Sequence, residues 1–356
     1  MIRNALQRFA TLTRPVKYSH DRHFCTRSSE VKVTFRKATI NDYEGVMKIN
    51  ENVHRGRDYL PEGFHSTVTD PNLSAHLGEV DNRIMTFGCA RLLDGGRTLL
   101  FTGGRTHASY RGQGLMAQLL HHIKSGYSSN KNILYEMFET EYGHPMLSHP
   151  YAQGSSMVLE RPIHCFPFRV NDLHLNQLPL DEIQFSIPTQ HDLERLLSDK
   201  QTHGYLFPGD RIVVNRIPFR AHPKNVPQMT TADVCFHTGD SQHECLSFGK
   251  SHSCKLGLAY NIDIYGDHPV GLTAHVYKHL QEIAHIVQMR RVHDKGEDGS
   301  HRETQDEVDE RVHLLIFASV SVDMSEVYEA LRTLGINRVE WPVKAQVVIE
   351  RDFRVD

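Results

Sequence analysis

The sequence predicts an α/β (α+β) protein of two lobes, the second a degenerate version of the plan of the first. Three observations predict this. Segments of strand period alternate with segments of helical period along most of the chain. A glycine-bearing loop near residues 110–114 stands at a strand-to-helix junction. At 356 residues the chain also exceeds what one hydrophobic core usually serves.

From Val31 onward the pattern is globular: Val31, Val33 and Phe35 alternate with polar residues as in a half-buried strand. Asn41 as N-cap with Glu44 three residues on reads as a capping box. It opens a helix that carries Val46, Ile49 and Val53 on its buried stripe and stops at Gly56. The stretch Asp58-Tyr59-Leu60-Pro61 reads as a loop. Residues 73–80 and 83–93 read as strands joined by the turn pair Asp81-Asn82, and Asp94-Gly95-Gly96 turns the chain again. Residues 98–106 form the next strand, 115–123 begin a helix and 133–141 return as a strand. A short loop or helix over 145–152 leads to a strand at 156–161, after which the proline-bearing stretch 162–180 reads as a connector. The domain boundary is therefore expected near residue 170, giving lobes at 31–170 and 171–356.

In the second lobe, strands are expected near 232–236, 246–248 and 256–265. A helix over 270–290 follows, with Leu272, Val276, Leu280, Ile283 and Val287 on one stripe. Residues 294–310 hold almost no apolar side chain and read as a mobile loop. A strand at 312–322, a helix at 325–334 and a strand at 339–349 close the chain. This order repeats the second half of the first lobe.

Composition excludes several classes. With 39% hydrophobic and 23% charged residues the protein reads as soluble and globular, and the apolar run from His313 to Val322 is too short to cross a bilayer. A net charge of -3 offers no basic field for nucleic acid, so neither nucleic acid nor membrane is expected as a partner. Six cysteines are too sparse for a disulfide scaffold and point to a reducing compartment. Residues 1–30 differ from the rest: six Lys or Arg face two acids, and Ile2, Leu6 and Phe9 share a helical stripe. They read as a mitochondrial transit peptide, and hence a matrix protein, or else as a disordered basic tail on a cytoplasmic one.

The chemistry sits in Arg111-Gly112-Gln113-Gly114-Leu115-Met116. Glycines let main-chain amides point into a concavity that holds phosphate oxygens, the helix start adds its positive end, and Arg111 adds a direct charge contact. This run resembles the Arg/Gln-x-x-Gly-x-Gly/Ala pyrophosphate signature of the GNAT superfamily, with Met116 as a departure where Gly or Ala is usual. Three further segments look like the vertebrate histidine N-acetyltransferase family: Arg57-Asp58-Tyr59-Leu60-Pro61 with Phe64-His65, the run from Leu92 to Thr98, and Tyr110 to Gly114. The resemblance implies a GNAT domain followed by a degenerate GNAT-like C-terminal domain, acetyl-CoA as cosubstrate, and a free amino acid, histidine foremost, as acceptor. The junction at 266–273 of the second lobe offers Gly266 and Gly271 around His268-Pro269 but no arginine, so that lobe is expected to support the first.

Acetyl transfer to an amine needs a deprotonated nucleophile, a polarised thioester carbonyl and a proton for the leaving thiolate. The resemblance places the main-chain N–H groups near Thr106 and His107 beside the thioester, and makes Tyr151 the nearest equivalent of the family's tyrosine acid. Glu139 and Glu141 share one face of their strand, with Glu139 the first choice as base or else a solvated strand-end carboxylate. Arg105 or Arg57 suits a substrate carboxylate, and Asp58 or Tyr59 suits an imidazole N–H; each is equally at home as a surface charge or a packed turn residue. The Cys235-x-His237, His243-x-Cys245 and His252-x-Cys254 pairs follow no established zinc spacing, and no metal is expected. Two other readings stay open: a GNAT enzyme for another amine (a different amino acid, a polyamine or a protein N-terminus), and a non-catalytic acyl-CoA-binding protein.

Overall fold

A computed structural model describes residues 32–173, 183–207, 209–229, 232–239, 244–294 and 311–353, with the side chains of 292–294 excepted. The basic N-terminal stretch and nearly all of the polar 294–310 loop lie outside the described residues. The chain divides into two compact units, residues 1–160 with 347–356, and residues 161–346.

In the first unit, strands β1 (Thr34–Lys37), β2 (Leu73–Val80), β3 (Arg83–Leu93), β4 (Thr98–Thr106) and β5 (Tyr135–Glu141) lie side by side in chain order. The first four pair antiparallel, whereas β5 runs parallel to β4 after a crossover through helix α3 (Leu115–Ser125), as parallel neighbours require. Two shorter helices, α1 (Tyr43–Met47) and α2 (Leu60–Thr69), bury Val46, Leu60 and Phe64 against Leu77, Phe87 and Cys89 on one face. On the other face α3 buries Leu119, Leu120 and Ile123 against Leu99, Phe101 and Phe138. Each such aliphatic or aromatic side chain contributes about 2 kcal/mol when fully buried.

Three local readings change. The cap lies at Thr39 with Asp42, whose carboxylate accepts from Thr39 N–H and Oγ at 2.8 and 2.9 Å, because Arg36 already fixes Asp42 there through 2.9 and 2.7 Å contacts. Arg36, by its hydrogen bonds, also holds the Asp42 carboxyl down at about 2. The Asp58-Tyr59-Leu60-Pro61 stretch is no plain loop but the start of α2, with Pro61 in the first turn, where its missing N–H costs nothing. The connector expected at 162–180 is in large part strand: β6 spans Ser156–Arg169 and tolerates Pro162 and Pro167, since a proline forfeits an N–H on one side of the strand only. The units accordingly divide at Glu160/Arg161, not near 170.

The second unit places β6 next to β12 (Arg311–Phe317), then β11 (Gly257–Tyr265), β10 (Cys245–Cys254) and β9 (Val234–Thr238), with a separate hairpin of β7 (Arg211–Val214) and β8 (Ile217–Arg220). Here too an antiparallel pair, β10 with β11, precedes a parallel pair, β11 with β12, joined by helix α7 (Pro269–Asp294). The expected stripe on α7 is buried throughout, from Leu272 to Val287. Helices α4 (Gln190–Ser198), α5 (Lys200–Leu206), α6 (Val226–Met229) and α8 (Ser325–Thr333) complete the unit, and the last strand, β13 (Ala345–Asp352), belongs from Val347 onward to the first unit. The strands expected at 312–322 and 339–349 are Arg311–Phe317 and Ala345–Asp352; Val339 makes an isolated bridge to Cys165 instead.

Inside this unit a chain of hydrogen bonds runs from Thr238 Oγ to His275 Nε2 (2.9 Å), His275 Nδ1 to Ser247 Oγ (2.7 Å), Ser247 to His279 Nε2 (2.8 Å) and His279 Nδ1 to Tyr260 Oη (2.9 Å). Burial pushes His275 down to about 3 and His279 well below the ordinary imidazole value. Both are neutral in the fold and protonate first when unfolded, so their stabilisation is complete above about pH 6.5 and is lost as pH falls below it. Each costs about 1.4 kcal/mol per pH unit in that window. The urea midpoint is expected to fall steadily between pH 6.5 and 4.5; a flat midpoint would contradict two buried neutral histidines.

Candidate active site

The turn before α3 is open. Ala108–Tyr110 forms a single 3-10 turn, Arg111 is extended (φ -65°, ψ 142°), and Gly112 and Gly114 both take φ 76°. L-residues with a Cβ rarely adopt that conformation. A Cβ built on either glycine meets no atom within 4 Å, so the space beside each glycine is open. Gly114 caps α3 without a side-chain acceptor, and the first backbone bond of the helix is Gln118 N–H to the Gly114 carbonyl at 3.0 Å. The amides of Leu115, Met116 and Ala117 are thus left for a ligand, at the positive end of an eleven-residue helix. Arg111 Nε donates to the Thr106 carbonyl (3.2 Å) and Gln113 Nε2 to the Ser109 carbonyl (2.7 Å), which ties the rim of the turn to the end of β4. Met116 turns inward, its sulfur and methyl lying 3.4 to 4.0 Å from where Gly88 and Gly104 would carry a Cβ, so the departure from the signature is absorbed by two glycines of the sheet.

Beside this turn the two central strands part. β4 and β5 pair from Thr98 with Tyr135 to Phe101 with Phe138, and the register stops there although both strands continue. A bulge between Phe87 and Cys89 and Gly103 at φ 67° bend β4 at the same level. His107 N–H donates to the Met85 carbonyl at 2.8 Å, which makes Thr86 and Thr106 a non-hydrogen-bonded pair and turns the Thr106 N–H toward the β5 side. Of the two amides expected to face a thioester, His107's is therefore committed to β3 and Thr106's faces the opening.

Residues 54–58 lie across the diverging strand ends. Asp58 makes a two-pronged ion pair with Arg105 of β4, at 2.9 and 3.1 Å, and accepts the Leu60 N–H at 3.1 Å. His54 Nδ1 lies 3.3 Å and Arg55 Nη1 3.9 Å from the carboxylate of Glu141 on β5. Arg105 and Asp58 thus hold this roof, in place of the expected contacts to a substrate carboxylate and imidazole. Arg57 is buried, and Tyr59 packs in the α1–α2 core with its hydroxyl close to Gly103. Glu139 shares its strand face with Glu141, and both act electrostatically on His144. His54, Arg55 and His144 were not singled out in the sequence; the signal available was the cluster of polar residues before Gly56.

Tyr151 stands on the opposite face of β5 from the two carboxylates. Its ring meets Phe138 edge-on at 5.7 Å and lies under the Arg351 guanidinium at 4.5 Å, and the Arg351 side chain also bonds the Tyr151 carbonyl and the Glu136 carboxylate. Fully buried Glu136 is 3.3 Å from Lys124 of α3 as well. Burial pushes the Tyr151 hydroxyl up, Glu136 adds to this and Arg351 opposes it, so the phenol keeps its proton.

The counterpart junction of the second unit is closed. A Cβ on Gly266 would sit 2.6 Å from the Glu244 carbonyl and 2.9 Å from Cys245 Sγ, and the Gly271 amide already donates to His268 Nδ1 at 3.3 Å. Among the described residues no group of His, Cys, Asp and Glu is arranged to hold a metal; Cys245 is buried against Gly266 and Gly271, and His237 pairs with Glu244 at 3.3 Å. His243 lies outside the described residues. No described helix is long and apolar enough to cross a membrane.

The family model for the C-terminal part of histidine N-acetyltransferase matches residues 182–292. The histidine N-acetyltransferase of Scomber australasicus is 23% identical over 230 residues, covering 60% of this chain and 66% of that protein. That of Xenopus tropicalis is 24% identical over 275 residues, 71% of this chain and 81% of the other. Among solved structures, a GCN5-related N-acetyltransferase from Sphaerobacter thermophilus superposes with a TM-score of 0.50 at 14% identity, covering 90% of this chain and 96% of that one. At that identity the likeness speaks for the fold alone. The chain has the fold of the GCN5-related N-acetyltransferases and is similar in sequence to the histidine N-acetyltransferases.

Proposed function

We propose that this protein transfers the acetyl group of acetyl-CoA to the α-amine of a free amino acid, with L-histidine the leading acceptor. The observation that carries the reading is the open turn of amides from Gly112 to Ala117, set beside strands that part after Phe101 and Phe138. Amides at a helix start suit a diphosphate, and Arg111 at the rim adds a charge. Acetyl-CoA would supply an activated thioester carbonyl, and the Thr106 N–H is the donor placed to polarise it. Tyr151, kept protonated by burial, supplies the proton for the leaving thiolate from one face of β5, while the carboxylates on the other face serve the incoming amine. Separate faces for acid and base suit a carbonyl attacked from one side and left from the other. Histidine as acceptor is supported by the relatives' names, and a roof lined by His54, Arg55 and Glu141 offers both signs of charge to an amino acid.

The test is a panel of acceptors, comprising the common amino acids, spermidine and a short peptide, with CoA release as readout. Turnover is expected with a free amino acid and highest kcat/KM with histidine. CoA release with every acceptor but histidine would remove that acceptor, and tight acetyl-CoA binding without any turnover would favour the non-catalytic reading.

A further inference from the structure

Resting on that reading, we propose that His54 is the general base for the acceptor amine and Glu141 its positioning residue. The roof segment is fastened to both strand ends, to β4 through Asp58 with Arg105 and to β5 through His54 with Glu141, so the His54 ring is held at the opening. With Nδ1 3.3 Å from the Glu141 carboxylate, the N–H of the neutral ring lies on Nδ1 and the lone pair on Nε2. The side chain is 28% exposed, reachable by a solute yet fixed. Its backbone is unusual: His54, Arg55 and Gly56 take φ 46°, 56° and 87°, a left-handed run. Non-glycine residues persist in that region when neighbours over-determine them, and such strain collects where a side chain must be aimed. The charged groups around the ring are Glu141, Arg55 at 3.9 Å from that carboxylate, and His144 with Glu139 beyond it. An imidazole is also a closer match to an ammonium than a carboxylate is, which favours His54 over Glu139 as proton acceptor.

The step balances. His54 Nε2 takes one proton from the acceptor ammonium; the free amine forms the C–N bond to the acetyl carbon as the C–S bond breaks. Tyr151 gives its proton to the CoA thiolate and regains one from the nitrogen's second proton, and His54 returns its own to solvent.

In the full chain, with acetyl-CoA and L-histidine or the best acceptor of the panel, His54→Gln is expected to lower kcat by about 100-fold or more. Its acetyl-CoA affinity stays that of the parent, which also certifies the fold. His54→Ala regains turnover with added imidazole. Glu141→Gln is expected to lower kcat by about 10-fold with acetyl-CoA affinity unchanged, because the ring loses the partner that fixes its tautomer and direction. Unchanged kcat in His54→Gln, a loss confined to KM, or an unchanged kcat in Glu141→Gln overturns the assignment while leaving acetyl transfer intact. A parent that turns over no acceptor overturns the underlying reading and this one with it.

Discussion

Replacing Gly114 by tryptophan is expected to weaken acetyl-CoA binding by about 100-fold or more, with a much smaller change in fold stability. The reason is the emptiness of the turn. A Cβ at this position contacts nothing within 4 Å, so the indole enters open space rather than the core. The fold bears chiefly the cost of a non-glycine residue at φ 76°, about 1–2 kcal/mol. Binding loses more. An indole over the amides of Leu115 and Met116 removes hydrogen bonds to a charged acceptor, each about 1.5–3 kcal/mol, and two such bonds amount to roughly 100-fold or more in Kd. Gly114→Ala separates the terms, since it carries the backbone cost without the bulk. Calorimetric titration with acetyl-CoA decides the matter, and a Kd for Gly114→Trp equal to the parent's would place the diphosphate elsewhere.

The second large effect is one of stability. Arg161→Met is expected to cost about 3–5 kcal/mol, a large part of the stability of an ordinary domain. Arg161 is one of the largest fully buried side chains in the protein. Its guanidinium bonds the Asp263 carboxylate, the Tyr265 hydroxyl at 3.0 Å and Gln346 Oε1 at 3.0 and 2.8 Å, and it lies over the Phe317 ring at 5.3 Å. Asp263 and Tyr265 in turn hold the β7–β8 hairpin, through Asn215 N–H at 2.8 Å and Val213 N–H at 2.6 Å. Removing the guanidinium strands Asp263, whose carboxyl burial already pushes up. With its pKa raised above the unfolded value, the acid is tolerated once protonated, so the loss should shrink as pH falls toward the ordinary carboxylate range. Adding Asp263→Asn, which keeps an acceptor for Asn215, should recover much of it. Urea midpoints of the single and double variants check this, and a midpoint for Arg161→Met equal to the parent's would mean the pair contributes nothing.

That network also marks a difference between the strand pairs of the two units. Pairing between β11 and β12 runs on to Asp263 with Phe317, and the Arg161 side chain packs on Phe317 where the strands end. In the first unit the equivalent pair parts after four residue pairs. The letters Gly266 and Gly271 carry no hint of this; Cys245 and Glu244, which close that junction, are distant in sequence.

What was legible in the sequence follows the range of the forces involved. Gly112 and Gly114 could be read because positive φ leaves its mark on the residue itself, and the stripe of α7 could be read because helical period is local. Contacts between distant positions could not. Asp58 was read as a partner for substrate because Arg105, 47 residues away, was invisible beside it. Glu139 was preferred to Glu141 because period alone shows their shared face; the engagement of Glu141 depends on His54, 87 residues away. The return of residues 347–356 to the first unit, which brings Arg351 onto Tyr151, has no local signal at all. Helix α4 carries a local signal of its own: Thr189 and Asp192 form a capping box before Leu193, Leu196 and Leu197.

The most direct measurement is a crystal structure of the full chain with CoA. The account predicts the diphosphate oxygens within hydrogen-bond reach of the amides from Gly112 to Met116, with the pantetheine arm running between β4 and β5 past Thr106. A diphosphate bound away from that turn, with the turn unchanged, would contradict it.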